Sequence, residues 1–184
     1  MMLKPLTRND SAAFFRSAWD EKVYRYLRGF YCDCEEDAKK AINKLLETPS
    51  AEAFVITDSS HPFIGLFVAD KHGIVNGKQE VEFSVFIDER YRREGYASQS
   101  LKEMLARYPG YRIKFDIDPT NTASRKPVLK FGAKEDKKEE SFYIDNWQHH
   151  PRLHITMHSG VVSLLCIKLF LQSWVCTIKL PHCP

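Results

Sequence analysis

A short basic segment with a single glycine, residues 91–98, separates a strand-like pattern from a helix-like pattern. It reads Tyr-Arg-Arg-Glu-Gly-Tyr-Ala-Ser, with Gly95 just ahead of the predicted helix. Backbone N–H groups in the first turn of a helix have no partner inside the helix, and the helix dipole adds partial positive charge at that end. Glycine lets the backbone approach a ligand closely. The segment therefore predicts a site for a phosphate-bearing ligand, although the pattern alone is also typical of an ordinary strand–helix connection.

The spacing Arg92-x-x-Gly95-x-Ala97 resembles the acyl-CoA-binding motif of the GCN5-related N-acetyltransferases, the GNAT superfamily. Residues 82–97 look most like its RimJ/RimL-like branch, which acetylates the N-termini of ribosomal proteins. A second block, residues 121–124 followed by residues 130–133, is similar to that branch's Asn-x-x-Ser and Lys-x-Gly-Phe pattern. The resemblance covers residues 81–133 as motifs and the N-terminal four fifths of the chain as an architecture.

The resemblance implies acetyl-CoA as a co-substrate, with no metal. The backbone amides of residues 93–98 would receive its pyrophosphate, and the preceding strand would splay open so that its free backbone groups bond the pantetheine arm. The predicted cofactor-binding residues are Val85, Phe86, Ile87, Arg92, Arg93, Glu94, Gly95, Tyr96, Ala97, Ser98 and Asn121.

Two residues are predicted to carry the acid–base chemistry of acetyl transfer. Glu82 lies where the family often has a carboxylate that acts as the base, but an exposed strand carboxylate paired with a lysine fits the pattern equally well. The resembled branch uses a serine at the position of Ser124 as the acid, and a helix cap is the alternative role. Val128 stands where many other family members have the acidic tyrosine, and Pro127 suggests that the helix begins near Ser124.

The acceptor is predicted to be a primary amine, on a protein N-terminus or a small molecule. Its pocket would lie between the N-terminal helices and the end of the last strand, where aromatic residues are also typical of a core. These residues are Tyr24, Tyr26, Phe30, Tyr31 and Trp147. The alternative function is a non-catalytic acyl-CoA-binding or sensing module of the same fold.

Periodicity places the elements that position these residues. Helices are predicted over residues 11–27, with a break near Asp20, and over residues 34–47, 98–107 and 123–131. Asp33 is the predicted N-cap of the helix over residues 34–47. Strands are predicted over residues 2–6, 53–57, 63–70, 79–87, 112–118 and 141–147, and turns over residues 71–78 and 134–140. The fold class is therefore α/β (α+β), and the order matches the GNAT fold, a mixed and mostly antiparallel sheet flanked by helices.

Composition sets further limits. The 184 residues are enough for one domain with a sizeable core, and a net charge of +3 does not favour nucleic-acid binding. Five cysteines at spacings that match no zinc framework predict reduced thiols, and the polar start of the chain favours the cytoplasm. Residues 1–148 are predicted to form the GNAT domain and residues 149–184 an apolar tail of unknown role, where Lys168 argues against a membrane anchor. A homodimer is left open.

Overall fold

The computed structural model describes residues 1–137 and 141–145, and within these ranges it contains seven strands and five α-helices. The strands are β1 (Met2–Pro5), β2 (Ala51–Thr57), β3 (Gly65–Val75), β4 (Lys78–Ile87), β5 (Arg112–Asp116), β6 (Lys134–Asp136) and β7 (Ser141–Asp145). The helices are α1 (Ser11–Ala18), α2 (Glu21–Tyr26), α3 (Glu35–Glu47), α4 (Tyr96–Arg107) and α5 (Thr122–Lys130).

All seven strands form one sheet in the order β1-β2-β3-β4-β5-β7-β6. Neighbouring strands are antiparallel except for β4 and β5, which are parallel. A parallel pair needs a crossover connection, and α4 supplies it. The predicted mixed, mostly antiparallel sheet flanked by helices is confirmed.

The parallel pairing of β4 with β5 is short. Its register ends where Glu82 lies opposite Lys114, whereas β4 stays paired with β3 as far as Ile87. β5 meanwhile continues beside β7 to Asp116. Within the described residues, the last five residues of β4 therefore have no strand beside them on the β5 side. The family resemblance implied that β4 opens at this end.

An apolar core lies on each face of the sheet. Alternation along β4 sends Val81, Phe83 and Val85 into one core, where α4 packs through Leu101 and Met104. The other core contains Phe86 from β4 and is covered by α1, α2 and α3, through residues that include Phe14, Val23 and Ile42. Glu82 is two strand positions from Ser84 and four from Phe86, so it faces the side of the sheet that α1–α3 cover.

The prediction of a turn over residues 71–78 is wrong. β3 continues to Val75, and the turn consists of Asn76 and Gly77, with φ of 51° and 75°. Type I′ two-residue hairpin loops, whose twist matches that of the flanking strands, require positive φ at both positions. Asn-Gly satisfies this requirement. Gly73, which suggested an earlier turn, instead adjoins an irregularity in the ladder, where the register with β4 shifts between Lys71 and Gly73.

Several predicted boundaries also need correction. The N-cap of α3 is Cys34 rather than Asp33, and α4 begins at Tyr96 rather than Ser98. α5 begins at Thr122, ahead of the predicted start, because the side chain of Asn121 caps its first turn although Pro127 lies inside the helix. Residues 134–136 form an edge strand against β7, a position where charged residues are well tolerated.

The break predicted near Asp20 is present, since Asp20 caps α2 by accepting a hydrogen bond from the backbone of Lys22. Trp147, the domain boundary at residue 148 and the apolar tail over residues 149–184 lie outside the described residues. In the described part of the chain, no helix has both the length and the apolar character that crossing a bilayer requires.

Candidate active site

The segment between β4 and α4 holds the free backbone groups that the sequence predicted. Gly95 is the N-cap of α4 with φ +87°, and Arg93 also has a positive φ of 71°. The first hydrogen bond of the helix runs from the amide of Gln99 to the carbonyl of Gly95, at 3.0 Å. Within residues 1–137 and 141–145, the amides of residues 95–98 donate to no protein acceptor. Free amides at the start of a helix are suited to bind an anion.

Arg92 holds this segment against the N-terminal helices. Its Nε donates to the carbonyl oxygen of Ile87 at 3.0 Å, and its Nη2 is ion-paired with Asp20. Both side chains are less than a tenth exposed. The guanidinium therefore already has a carboxylate partner, and the segment is tied to the start of α2.

Two further contacts brace the segment. The hydroxyl of Tyr96 donates to Oδ2 of Asp58 at 2.6 Å, which raises the pKa of Tyr96 to about 12. At the end of β4, Asp88 accepts from the Ser17 hydroxyl at 2.6 Å and from the side chain of Arg90. Burial raises the pKa of Asp88, but these hydrogen bonds hold it below its usual value. The segment is therefore fixed from the β2–β3 connection and from α1.

Glu82 is deeply buried at the point where β4 and β5 diverge, with 2% of the residue exposed. Neither carboxyl oxygen makes a hydrogen bond within the described residues. Two basic side chains lie close to Oε2: Lys114 Nζ is 3.9 Å away, and Nε2 of His72 is 3.8 Å away. Burial raises the pKa of Glu82 to about 8, and Lys114 lowers it only in part. The expectation of an exposed carboxylate is therefore wrong.

Ser124 and Asn121 meet at the start of α5. The Asn121 side chain accepts from the Ser124 amide at 3.2 Å, so Asn121 is a helix cap. The hydroxyl of Ser124 is buried and makes no hydrogen bond in the described part of the chain. A buried hydroxyl without a partner is costly, and it is suited to donate to a ligand.

Residues 1–134 match the family model described as an acetyltransferase (GNAT) domain. The chain belongs to the GNAT acetyltransferase family. Membership of this family makes it an N-acetyltransferase. No curated protein sequence matches the chain.

Solved structures share the GNAT fold at low sequence identity. Spermidine N-acetyltransferase from Vibrio cholerae in complex with CoA and spermine has a TM-score of 0.63 and 15% identity, with 79% of this chain and 95% of that chain covered. A chimera of the Vibrio cholerae enzyme and hSSAT has a TM-score of 0.58 and 16% identity, covering 79% of this chain and 96% of that chain. These likenesses show the fold, and the RimJ/RimL-like branch is not confirmed.

The aromatic residues predicted for the acceptor pocket of this GNAT chain divide into two groups. Phe30 is part of the core under α1–α3. Tyr24 is 53% exposed, and its ring lies 4.9 Å from that of Tyr31. Tyr26, at the end of α2, approaches Thr120 in the β5–α5 connection, with 3.5 Å between the hydroxyl oxygens. Through this contact, α2 touches the connection that leads into the second motif block at residue 121.

Sequence reasoning missed His72, because residues 71–78 were predicted to form a turn. It lies in β3 at the register shift, where an extra residue changes the direction of side chains. The Asn76-Gly77 pair was the signal that β3 continues through this histidine. His61, the other histidine of the described residues, lies in the β2–β3 connection and contacts Asp58.

Proposed function

We propose that this GNAT acetyltransferase moves an acetyl group directly from acetyl-CoA to a primary amine in a ternary complex. The observation that carries the proposal is that two sets of unpaired backbone groups adjoin. One set is the amides at the start of α4, and the other is the edge of β4 beyond its pairing with β5. A diphosphate suits the first set because helix N-termini bind anions. The pantetheine arm suits the second because its amides can bond to an open strand edge as an added strand would.

In this proposal the diphosphate lies against the amides of residues 93–98, and the arm lies along Val85, Phe86 and Ile87. Arg92 acts by holding the segment, since its guanidinium is paired with Asp20. Arg93 adds positive charge beside the diphosphate. Asn121 contacts the arm with the same amide group that caps α5.

Glu82 is the proposed general base. A primary ammonium must lose a proton before its nitrogen can attack, and a base is most effective when its pKa is near the working pH. The raised pKa of Glu82, about 8, meets this condition. In the first step the carboxylate takes a proton from the ammonium, directly or through water, and the N–H electron pair stays on nitrogen.

The nitrogen then forms a bond to the thioester carbon, and the carbonyl oxygen takes the negative charge. A backbone amide of β4 donates a hydrogen bond to this oxyanion. When the intermediate collapses, the C–S bond breaks and the Ser124 hydroxyl gives its proton to the sulfur. Ser124 recovers a proton from the nitrogen, so each transfer releases one proton overall, the one that Glu82 holds.

A non-catalytic acyl-CoA sensor would use the same backbone groups. Two observations favour catalysis: the Glu82 carboxyl and the Ser124 hydroxyl are both buried without a hydrogen-bond partner in the described residues. Each such group costs about 1–3 kcal/mol, which cofactor binding alone does not require. The acceptor is either a protein N-terminus, as in the resembled branch, or a small amine. Cytoplasmic location and a homodimer remain predictions.

The test is thiol release from acetyl-CoA by the full chain with a panel of acceptors. The panel contains peptides with different N-terminal residues and the polyamines spermidine and spermine. Thiol release with one acceptor class, lost in Glu82→Gln, supports the proposal and names the class. CoA binding without thiol release from any acceptor supports the sensor.

A further inference from the structure

Glu82 is a buried acid that must exchange a proton with solvent in every catalytic cycle. Its residue exposure is 2%, and burial keeps the carboxyl protonated to about pH 8. A base that takes a proton from the acceptor has to release it before the next turnover. Since the carboxyl is shut off from bulk water, the proton needs a group that connects Glu82 to the surface.

His72 is placed to make this connection. The register shift between Lys71 and Gly73 leaves it as the extra residue of β3, and such bulges redirect side chains. Its Nε2 lies 3.8 Å from Glu82 Oε2, is itself buried, and makes no hydrogen bond in the described ranges. A small rotation of either side chain closes a separation of this size to hydrogen-bond distance.

The other side of the ring faces outward. The His72 side chain is 19% exposed although Nε2 is buried. Nδ1 is not one of the buried unpartnered atoms and has no hydrogen bond within the described residues, so it has access to solvent. An imidazole can accept a proton at one nitrogen and release one from the other.

The other charged groups around Glu82 do not offer this path. Lys114 from β5 is 3.9 Å away, but an ammonium carries only donors. Asp70 from β3 has a buried, unpartnered Oδ1, and its Oδ2 is 4.0 Å from His72 Nε2. Asp116 from β5 and Glu80 from β4 act on Glu82 through charge and oppose its ionisation. His72 combines a nitrogen 3.8 Å from Glu82 Oε2 with a second nitrogen that has access to solvent.

We infer that His72 is a proton-relay residue that links the buried carboxyl of Glu82 to solvent during acetyl transfer. This inference rests on the proposed function. After the acceptor proton has reached Glu82, the O–H bond at Oε2 breaks and an N–H bond forms at His72 Nε2. The Nδ1 proton leaves to water or buffer. Rotation of the ring then brings Nε2 to solvent, where it loses its proton while Nδ1 takes one up, and the starting tautomer is restored. One proton is released for each acetyl group transferred, and no redox partner is needed.

The experiment measures thiol release by wild type, His72→Gln and Glu82→Gln in weak buffer, with and without added imidazole, using the acceptor that the wild type turns over best. We expect His72→Gln to lose about tenfold in kcat, part of the roughly 10²–10⁴-fold that positioned proton transfer contributes. Its CoA affinity stays at the wild-type level. Imidazole restores most of the rate of His72→Gln and none of the rate of Glu82→Gln. His72→Asn is measured in parallel so that the result does not depend on one substitution.

Each result is decisive. If the wild type turns over and both His72 variants keep its rate in weak buffer, the relay is wrong while the proposed function stands. A rate loss that imidazole does not restore assigns His72 a structural role and also overturns the relay. If the wild type releases no thiol with any acceptor, the proposed function fails and the relay fails with it.

Discussion

Asp20 and Arg92 lie 72 positions apart in sequence and form a buried ion pair. Asp20 caps α2, and Arg92 begins the segment that leads to the free amides of α4. One contact thus links a helix on the proposed acceptor side to the loop on the proposed donor side. The second bond of Arg92, to the Ile87 carbonyl, extends this link to the open end of β4.

Asp20→Asn is expected to destabilise the chain and weaken CoA binding together. The amide can still cap α2, but Arg92 is left as a buried charge without its counter-charge, at a cost of about 3 kcal/mol. Urea denaturation and calorimetric titration with CoA measure the two effects. Glu21→Gln, an exposed neighbour in the same helix, is the control and should change neither. If Asp20→Asn lowers stability but leaves CoA affinity unchanged, the Asp20–Arg92 ion pair does not support CoA binding.

Gly95→Ile is expected to abolish CoA binding while the fold is retained. Gly95 has φ +87°, which costs an L-residue about 1–2 kcal/mol, and the new side chain would stand among the amides of α4. Gly110→Ile is the matched control, because Gly110 has φ +80° and open space around it. Calorimetry should show the loss of CoA binding only in the Gly95 variant. Equal affinity in both variants would contradict the placement of the diphosphate.

Glu82 is expected to set the pH dependence of turnover. Since the base acts in its ionised form and its pKa is about 8, kcat should rise with pH and level off above that value. Glu82→Gln should lose about 10²–10⁴-fold in kcat with CoA affinity unchanged. Glu103→Gln, on the surface of α4, should behave as wild type. A pH profile that Glu82→Gln leaves unaltered would exclude Glu82 as the base.

Glu82 is also expected to make the folded chain less stable as pH rises. The unfolded chain releases this proton near the ordinary value of 4.5, and the folded chain holds it to about 8. Between these values the unfolded state binds fewer protons, so the free energy of unfolding falls with pH, by up to about 1.4 kcal/mol per unit. Urea denaturation from pH 5 to pH 8 should show a smaller decline in Glu82→Gln than in wild type. An equal decline in both would place the responsible group elsewhere.

Gly65 is expected to be required for the shape of the open strand. A Cβ at this position would lie 2.1 Å from the carbonyl oxygen of Phe86 and 3.0 Å from the Cα of Ile87. Gly65→Ala should therefore lower stability by about 1–3 kcal/mol and weaken CoA binding by displacing β4. Gly29→Ala, where a Cβ meets nothing within 4 Å, is the control. If Gly65→Ala is as stable in urea as wild type, β3 and β4 lie further apart at this position than the distances above imply.

The sequence was sufficient for most strands, the helices and the glycine-containing turn before α4, because alternation, helical periodicity and turn residues are local signals. It was not sufficient for the surroundings of Glu82. The burial of that carboxyl depends on β3 and β5, and the position of His72 depends on a register shift between two strands. The partner of Arg92 was missed for the same reason, since Asp20 comes from a distant helix.

The most direct test of the account is an amide NMR titration of the labelled chain with CoA. We predict that the largest shifts occur at the amides of residues 93–98, with a second group at Val85, Phe86 and Ile87, and that Gly95→Ile abolishes both. Binding that shifts amides elsewhere and leaves these two groups unchanged would contradict the placement of the donor and the acetyl-transfer mechanism built on it.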